Sequence, residues 1–371
     1  MQNMAWAAYL SGRVSEAAVR LDETVATFAE IGDTGGLAWA KALLGFTRLR
    51  QGRLADAEQL GEEVLPDAHQ RGDRFGEGMA LLLTAQVRLW TGRTQLAVER
   101  ADEARSLFAK IGDPLGQVQA EAVYGRSLAA SGRVEEGLAA LNLAMDLAHR
   151  SQAQAGMSMV AQGLLSSVVH IGDVRLTAAV LPTIADSQPK SDELGASDWG
   201  VASAVAQLQR GEFVDGERAL AEWAERLGAD APPSALVALA LAKAANGDSL
   251  DCLHLADRAH ESPRATYLDL AFAHIASGLA YSQRGDSAEL IAAFAAARQE
   301  VDVTGDAVAQ AIVRLAESHA LTAIEATSAR AVRREAERRL AYLEIGAEGW
   351  STLFRAGQRQ LGEGVAANQP A

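Results

Sequence analysis

Seven histidines, one cysteine and a scatter of acidic pairs are the side chains of this 371-residue chain whose types could do chemistry. His69, His149, His170, His254, His260, His274 and His319 form no His-Glu-x-x-His run and no paired spacing of the kind that holds zinc, so they read as surface or packing residues. Cys252 stands alone, which excludes an internal disulfide and a multi-thiolate metal site; it falls where two helices need a small contact residue and reads as core. Acidic neighbours such as Glu62-Glu63 and Glu135-Glu136 would point in different directions on a helix, so they make no facing dyad for acid-base work. No Gly-Lys dipeptide occurs, which removes a phosphate-cradling loop, and the glycines of 72–78 follow no strand as a dinucleotide fingerprint would. Arg71-Gly72-Asp73 and Arg284-Gly285-Asp286 read as turns. No nucleophile, base and orienting group assemble from these motifs, so the expectation is a protein that is not an enzyme and carries no metal or cofactor.

Composition narrows the partners. A formal charge of −14 argues against a nucleic-acid backbone, which needs a basic footprint. No apolar run approaches the length of a membrane span, and the opening MQNMAWAAYL lacks the basic start and long apolar core of a signal peptide. With a lone cysteine, the expected compartment is the cytoplasm.

The elements that must position these residues are set by glycine. It recurs every 40 residues at Gly12, Gly52, Gly92, Gly132 and Gly172, with Arg13, Arg53, Arg93 and Arg133 following the first four. Half a period away come Gly32-Asp33, Gly72-Asp73 and Gly112-Asp113, and four residues after each of those glycines, and again at 156, stand Gly36, Gly76, Gly116 and Gly156. In Gly112-Asp113-Pro114 the glycine suits the left-handed end of one helix, the aspartate the N-cap of the next, and the proline its first turn. Asp33 and Asp73 take the same role, as caps and not catalysts. Helices are expected from Val14 to Glu30, from about 34 to Gln51, and from Leu54 to about Gln70, with the pattern repeating to 150. The first helix looks clipped, which suggests a fragment of a longer chain or a late start. The beat weakens in 182–198, read as a loop or hinge or as one degenerate repeat, and resumes through Gly211, Gly247 and Gly285. Arg330 to Arg339 reads as a solvated capping face, and a last helix to about Leu361 precedes a frayed tail. The domains expected are 1–181, the segment 182–198, degenerate repeats over 199–345, and a terminal capping helix and tail over 346–371.

Aligned on the glycine break, the small residues Ala17, Ala57, Ala97, Gly137 and Gly216, with Ala5, Gly45, Ala85, Gly125, Ala204 and Gly278, come into register where close helix crossing demands a missing side chain. Val14, Leu54, Val134, Val174 and Phe213 supply the large apolar residue after the turn. In these positions the chain resembles the tetratricopeptide repeat (TPR) family. The period exceeds that family's usual one of about 34 residues, and the longer form with Gly-Asp joints looks like the variety in actinobacterial signalling and regulatory proteins. The resemblance implies an all-α, right-handed solenoid of about nine helical hairpins. It also implies a concave face lined by the first helix of each hairpin, on which the family's groove positions fall at Trp6, Phe46, Gln86, Arg126 and Ser166. Tyr9, Leu49, Leu89 and Ala129 lie one turn on, with Arg50 and Trp90 beside them and Trp39 at the start of its helix. Such a groove would take a helix or extended peptide, the arginines meeting a carboxylate; the other reading is that several of these side chains pack against neighbouring repeats. The expected function is a protein-interaction or sensor module of a bacterial signalling or transcriptional regulator, binding another protein or part of a longer parent chain. A small-molecule receptor built around 182–198 is the alternative.

Overall fold

Two kinds of turn set the architecture in the computed structural model, which describes residues 2–152, 154–190 and 195–366. At Gly52 φ is 74°, in the left-handed region. Its amide donates to the Leu49 carbonyl and the Arg53 amide to the Arg48 carbonyl, both at 2.9 Å, the paired bonds that satisfy the last carbonyls of a helix. At the other turn Gly112 has φ 72°, the Asp113 carboxylate accepts from the Gly116 amide at 3.2 Å, and Pro114 opens the next helix. Asp33 and Asp73 cap in the same way through the amides of Gly36 and Gly76.

The described residues form nineteen helices. The first hairpins are α1 (Gln2–Leu10) with α2 (Val14–Ile31), α3 (Thr34–Arg50) with α4 (Leu54–Arg71), α5 (Arg74–Trp90) with α6 (Thr94–Ile111), and α7 (Pro114–Ala130) with α8 (Val134–Arg150). α9 (Gln154–Ile171) and α10 (Val174–Ile184) follow, then α11 (Ala196–Gln209) and α12 (Phe213–Leu227). The later pairs are α13 (Pro233–Ala245) with α14 (Ser249–His260), α15 (Tyr267–Arg284) with α16 (Ser287–Asp302), and α17 (Ala307–Ala323) with α18 (Ala329–Tyr342), before a final α19 (Glu348–Ala366). This is an all-α solenoid, nine consecutive helix pairs and one terminal helix among the described residues. The start residue Met1 and the tail 367–371 lie outside them.

At Gly36 and Gly116, four residues after a Gly-Asp beat, the glycine has a packing cause, whereas at Gly76 a Cβ would meet the Asp73 cap carboxylate. A Cβ at Gly36 would lie 2.6 Å from the Phe28 ring, and one at Gly116 would strike Phe108, so the glycine makes room for the aromatic of the preceding helix. Gly125 and Gly137 let α7 and α8 touch backbone to backbone: a Cβ at Gly137 would sit 2.6 Å from the Gly125 carbonyl oxygen. The arginine beat is electrostatic surface. Arg13 pairs with Glu16, Arg53 with Asp56 and Arg133 with Glu136 across the first turn of the next helix, exposed pairs of small energetic weight.

The chain divides into two compact units, Met1–Leu164 with Ile184–Ser197, and Leu165–Thr183 with Asp198–Ala371. The division falls inside α9, ahead of the segment 182–198. Part of that segment is helical. α10 runs through Pro182 to Ile184, a 3-10 turn follows at Ala185–Ser187, and α11 begins at Ala196; residues 191–194 lie outside the described ones. Pro182 sits in the last turn of α10, where it removes one backbone hydrogen bond, and the helix ends two residues later.

In the first unit α3 packs on α5 and α5 on α7, besides their chain neighbours, and α1 reaches α3. First helices are therefore enclosed on more sides: α5 buries eleven of its 17 residues and α4 four of its 18. In the second unit α13, α15 and α17 pack on one another in the same order, and α19 packs against all three. The terminal helix is thus seated on the first-helix layer and does not merely cap the last hairpin. Among the described residues no helix is long and apolar enough to cross a membrane.

Candidate binding face

The groove residues expected from the repeat separate into two groups. Phe46 and Leu49, expected on the groove, are core side chains, 7% and 1% exposed, enclosed with Leu43, Leu82 and Leu83. Leu89 is buried as well. The 40-residue step transfers a position from one hairpin to the next, but not how far the neighbouring first helix covers it.

Trp6, Tyr9, Trp39, Gln86, Trp90, Arg50 and Arg126 are half-buried. Trp6 and Tyr9, three apart on α1, stack with ring centroids 5.4 Å apart and planes 14° from parallel. With Trp39 and Trp90 they pack their inner edges on the core and keep the rest accessible. Arg126 of α7 lies over Gly163 of α9, where an added Cβ would come within 3.2 Å of its Cδ. Arg50 and Arg126 each already interact within the chain, so a carboxylate ligand would recruit engaged guanidinium groups. Sequence reasoning missed Gln119 and Met159, both half-buried. They stand two and three 40-residue steps from Trp39, through Met79, and that spacing was the available signal.

Arg48 and Arg88, two residues before Arg50 and Trp90, serve packing instead. Arg48 pairs with Asp22, and Arg88 with Glu58 and Glu62, tying α3 to α2 and α5 to α4. Nearby, Arg105 lies 4.3 Å above the Tyr124 ring and 3.4 Å from the buried Glu121 carboxylate. Burial pushes the Glu121 carboxyl pKa above its ordinary value, against the opposing charge of Arg105.

The second unit brings its titratable groups together across long sequence distances. Asp306 caps α17 by accepting from the Ala309 amide at 2.8 Å, accepts from the Tyr267 hydroxyl at 2.7 Å, and lies 3.3 Å from His170 Nε2. Burial works to raise its pKa, but the His170 ring, the Ala309 amide and the Tyr267 hydroxyl outweigh it and hold the carboxyl below the ordinary carboxylate range. His260 and His274 meet with Nε2 atoms 3.2 Å apart, and His260 Nδ1 donates to the Ala256 carbonyl at 2.8 Å. These contacts tie α9, α14, α15 and α17 together. Among the described residues no group of three or more His, Cys, Asp or Glu side chains could hold a metal ion. Cys252 is fully buried and its thiol is pushed up to about 12 by that burial, far from a reactive thiolate.

Two histidines give the second unit an acid-side weakness. Burial, with His260 beside one and Arg355 and Arg333 near the other, pulls both His274 and His319 down to about 4. Their unfolded value is about 6.5, so between pH 6.5 and 4 the unfolded chain binds more protons than the folded one. Stability is therefore expected to fall as pH is lowered through that window, by roughly 1–3 kcal/mol per histidine after allowance for partial exposure. Urea midpoints at pH 7 and pH 4.5 measure it. His274→Gln and His319→Gln should each flatten the slope, and an unchanged slope in both would assign it elsewhere.

The fold and this face define a class, the all-α array of helical hairpins that presents a first-helix surface. No protein-family model matches the chain, and no curated protein matches it.

Proposed function

We propose that this chain is a protein-binding array of the TPR kind, whose first-helix face in the first unit holds a helix or extended peptide. The ligand belongs to a partner protein or to another part of a longer parent chain, and the setting is a cytoplasmic bacterial signalling or transcriptional regulator. The observation that carries the reading is the row of half-exposed aromatics, Trp6, Tyr9, Trp39 and Trp90, interleaved with Gln86, Gln119, Arg50 and Arg126. Rigid aromatics edged by amide and guanidinium groups supply apolar contact and directional hydrogen bonds together. The resemblance to tetratricopeptide repeats supports the same choice of face.

Partner affinity, measured with a polypeptide captured from native cells, is expected to fall about tenfold or more in Trp39→Ala and in Trp90→Ala, as for anchors at an interface centre. Leu96→Ala, on an exposed position of α6, is expected to leave affinity unchanged. Equal affinity in all three variants would remove the face from the binding site.

A further inference from the structure

In the second unit the first-helix layer is already occupied. Trp350, Leu353 and Phe354 of α19 are buried to 4%, 2% and 1% exposure, and Gly357 is buried one turn further on. These are positions i, i+3, i+4 and i+7, the anchor pattern of an amphipathic helix laid in a groove. Each anchor has a seat. The Trp350 ring packs 5.0 Å from Phe272 of α15 and its indole Nε1 donates to the His170 carbonyl at 2.9 Å. Phe354 stacks on Trp350 and faces His319 of α17. Gly357 lies against the Ala244 carbonyl of α13 and the Gln283 side chain of α15, leaving no space for a Cβ.

The seat is imperfect at both ends. Gln209 lies beneath Gly349 and Gln283 beneath Gly357. Their amide nitrogens are bonded, to the Val169 and Ala244 carbonyls. Their Oε1 atoms are buried with no hydrogen-bond partner among the described residues. An orphaned buried acceptor is a cost, and the two side chains that carry these orphans lie against glycines of α19, residues without a side-chain donor.

We propose that this face of the second unit is a helix-binding groove that the chain closes with its own α19. Its partner is an amphipathic helix with an aromatic at i, apolar residues at i+3 and i+4 and a small residue at i+7, which takes the place of α19. A helix that brings a hydroxyl or amide donor to Gln209 or Gln283 gains what α19 lacks. The groove lies wholly within the second unit, so this inference stands or falls separately from the reading of the first.

The test uses the full chain and a fluorescent synthetic peptide of the sequence 346–362. The wild-type chain should bind the peptide weakly, because α19 competes from the same molecule at a high effective concentration. The double variant Trp350→Ala/Phe354→Ala, which loosens α19 but leaves the groove intact, should bind it at least tenfold more tightly. A peptide carrying the same two substitutions should bind neither chain. Hydrogen exchange on the wild-type chain is the second measurement: the amides of 350–357 should exchange faster than those of 271–280 in α15, through release of α19 alone. Binding no tighter in the variant, α19 exchanging only together with α15, or loss of helicity throughout the variant would each overturn the proposal.

Discussion

Replacing Phe108 with alanine is expected to lower the unfolding free energy by about 3–5 kcal/mol. Phe108 lies on α6 with no exposed surface and meets Phe75 edge to face at 6.2 Å. Its ring fills the space left by two glycines of the flanking first helices, Gly78 of α5 and Gly116 of α7. Removing the ring leaves a cavity beside Gly78 and Gly116, which have no side chains of their own to fill it. Urea unfolding followed by far-ultraviolet circular dichroism measures it as a lower midpoint at unchanged slope. A loss below about 1 kcal/mol, within the scatter of surface substitutions and mild core changes, would mean that the two glycines are not held open for this ring.

Asp306→Ala is expected to cost a comparable amount, about 3–5 kcal/mol at pH 7, the sum of a lost helix cap and of buried donors left without their charged acceptor. The substitution takes the N-cap from α17 and leaves the Ala309 amide and the Tyr267 hydroxyl without their acceptor. Asp306→Asn keeps an oxygen for the cap and should lose only about 1–2 kcal/mol. The sign of the pH dependence follows from the depressed carboxyl. Its stabilisation is complete above the unfolded value of about 3.9 and disappears as pH falls through its lower value in the fold. The gap between wild type and Asp306→Ala should therefore narrow in strong acid, and a gap that stayed constant would assign the cost to packing and not to the charge.

What could be read from the sequence was local. Gly52, Gly112 and Asp113 act within a few residues of themselves, so the turn, the cap and the break were visible as a 40-residue beat. The small residues at Gly125 and Gly137 were visible for the same reason, since the beat fixes which turns of α7 and α8 face each other. Accessibility was not local: Phe46 and Trp39 share a helix and a face, yet the neighbouring first helix covers one and leaves the edge of the other. The seat of α19 was least legible, because it depends on Trp350 reaching the carbonyl of His170, 180 residues away. The pairing of His260 with His274 was hidden in the same way, by a turn between two helices that no motif spacing records. Pro182 was a local signal as well: it stands in the last turn of α10, two residues before that helix ends.

The central claim, that the first-helix face of the first unit binds another polypeptide, is tested most directly by photo-crosslinking in native cells. A benzophenone side chain would replace Trp90 on that face in one chain and Leu96 on α6 in another. The account predicts one discrete polypeptide adduct from position 90, lost in the presence of Trp39→Ala, and none from position 96. Adducts of equal yield from both positions, or none from position 90, would contradict it.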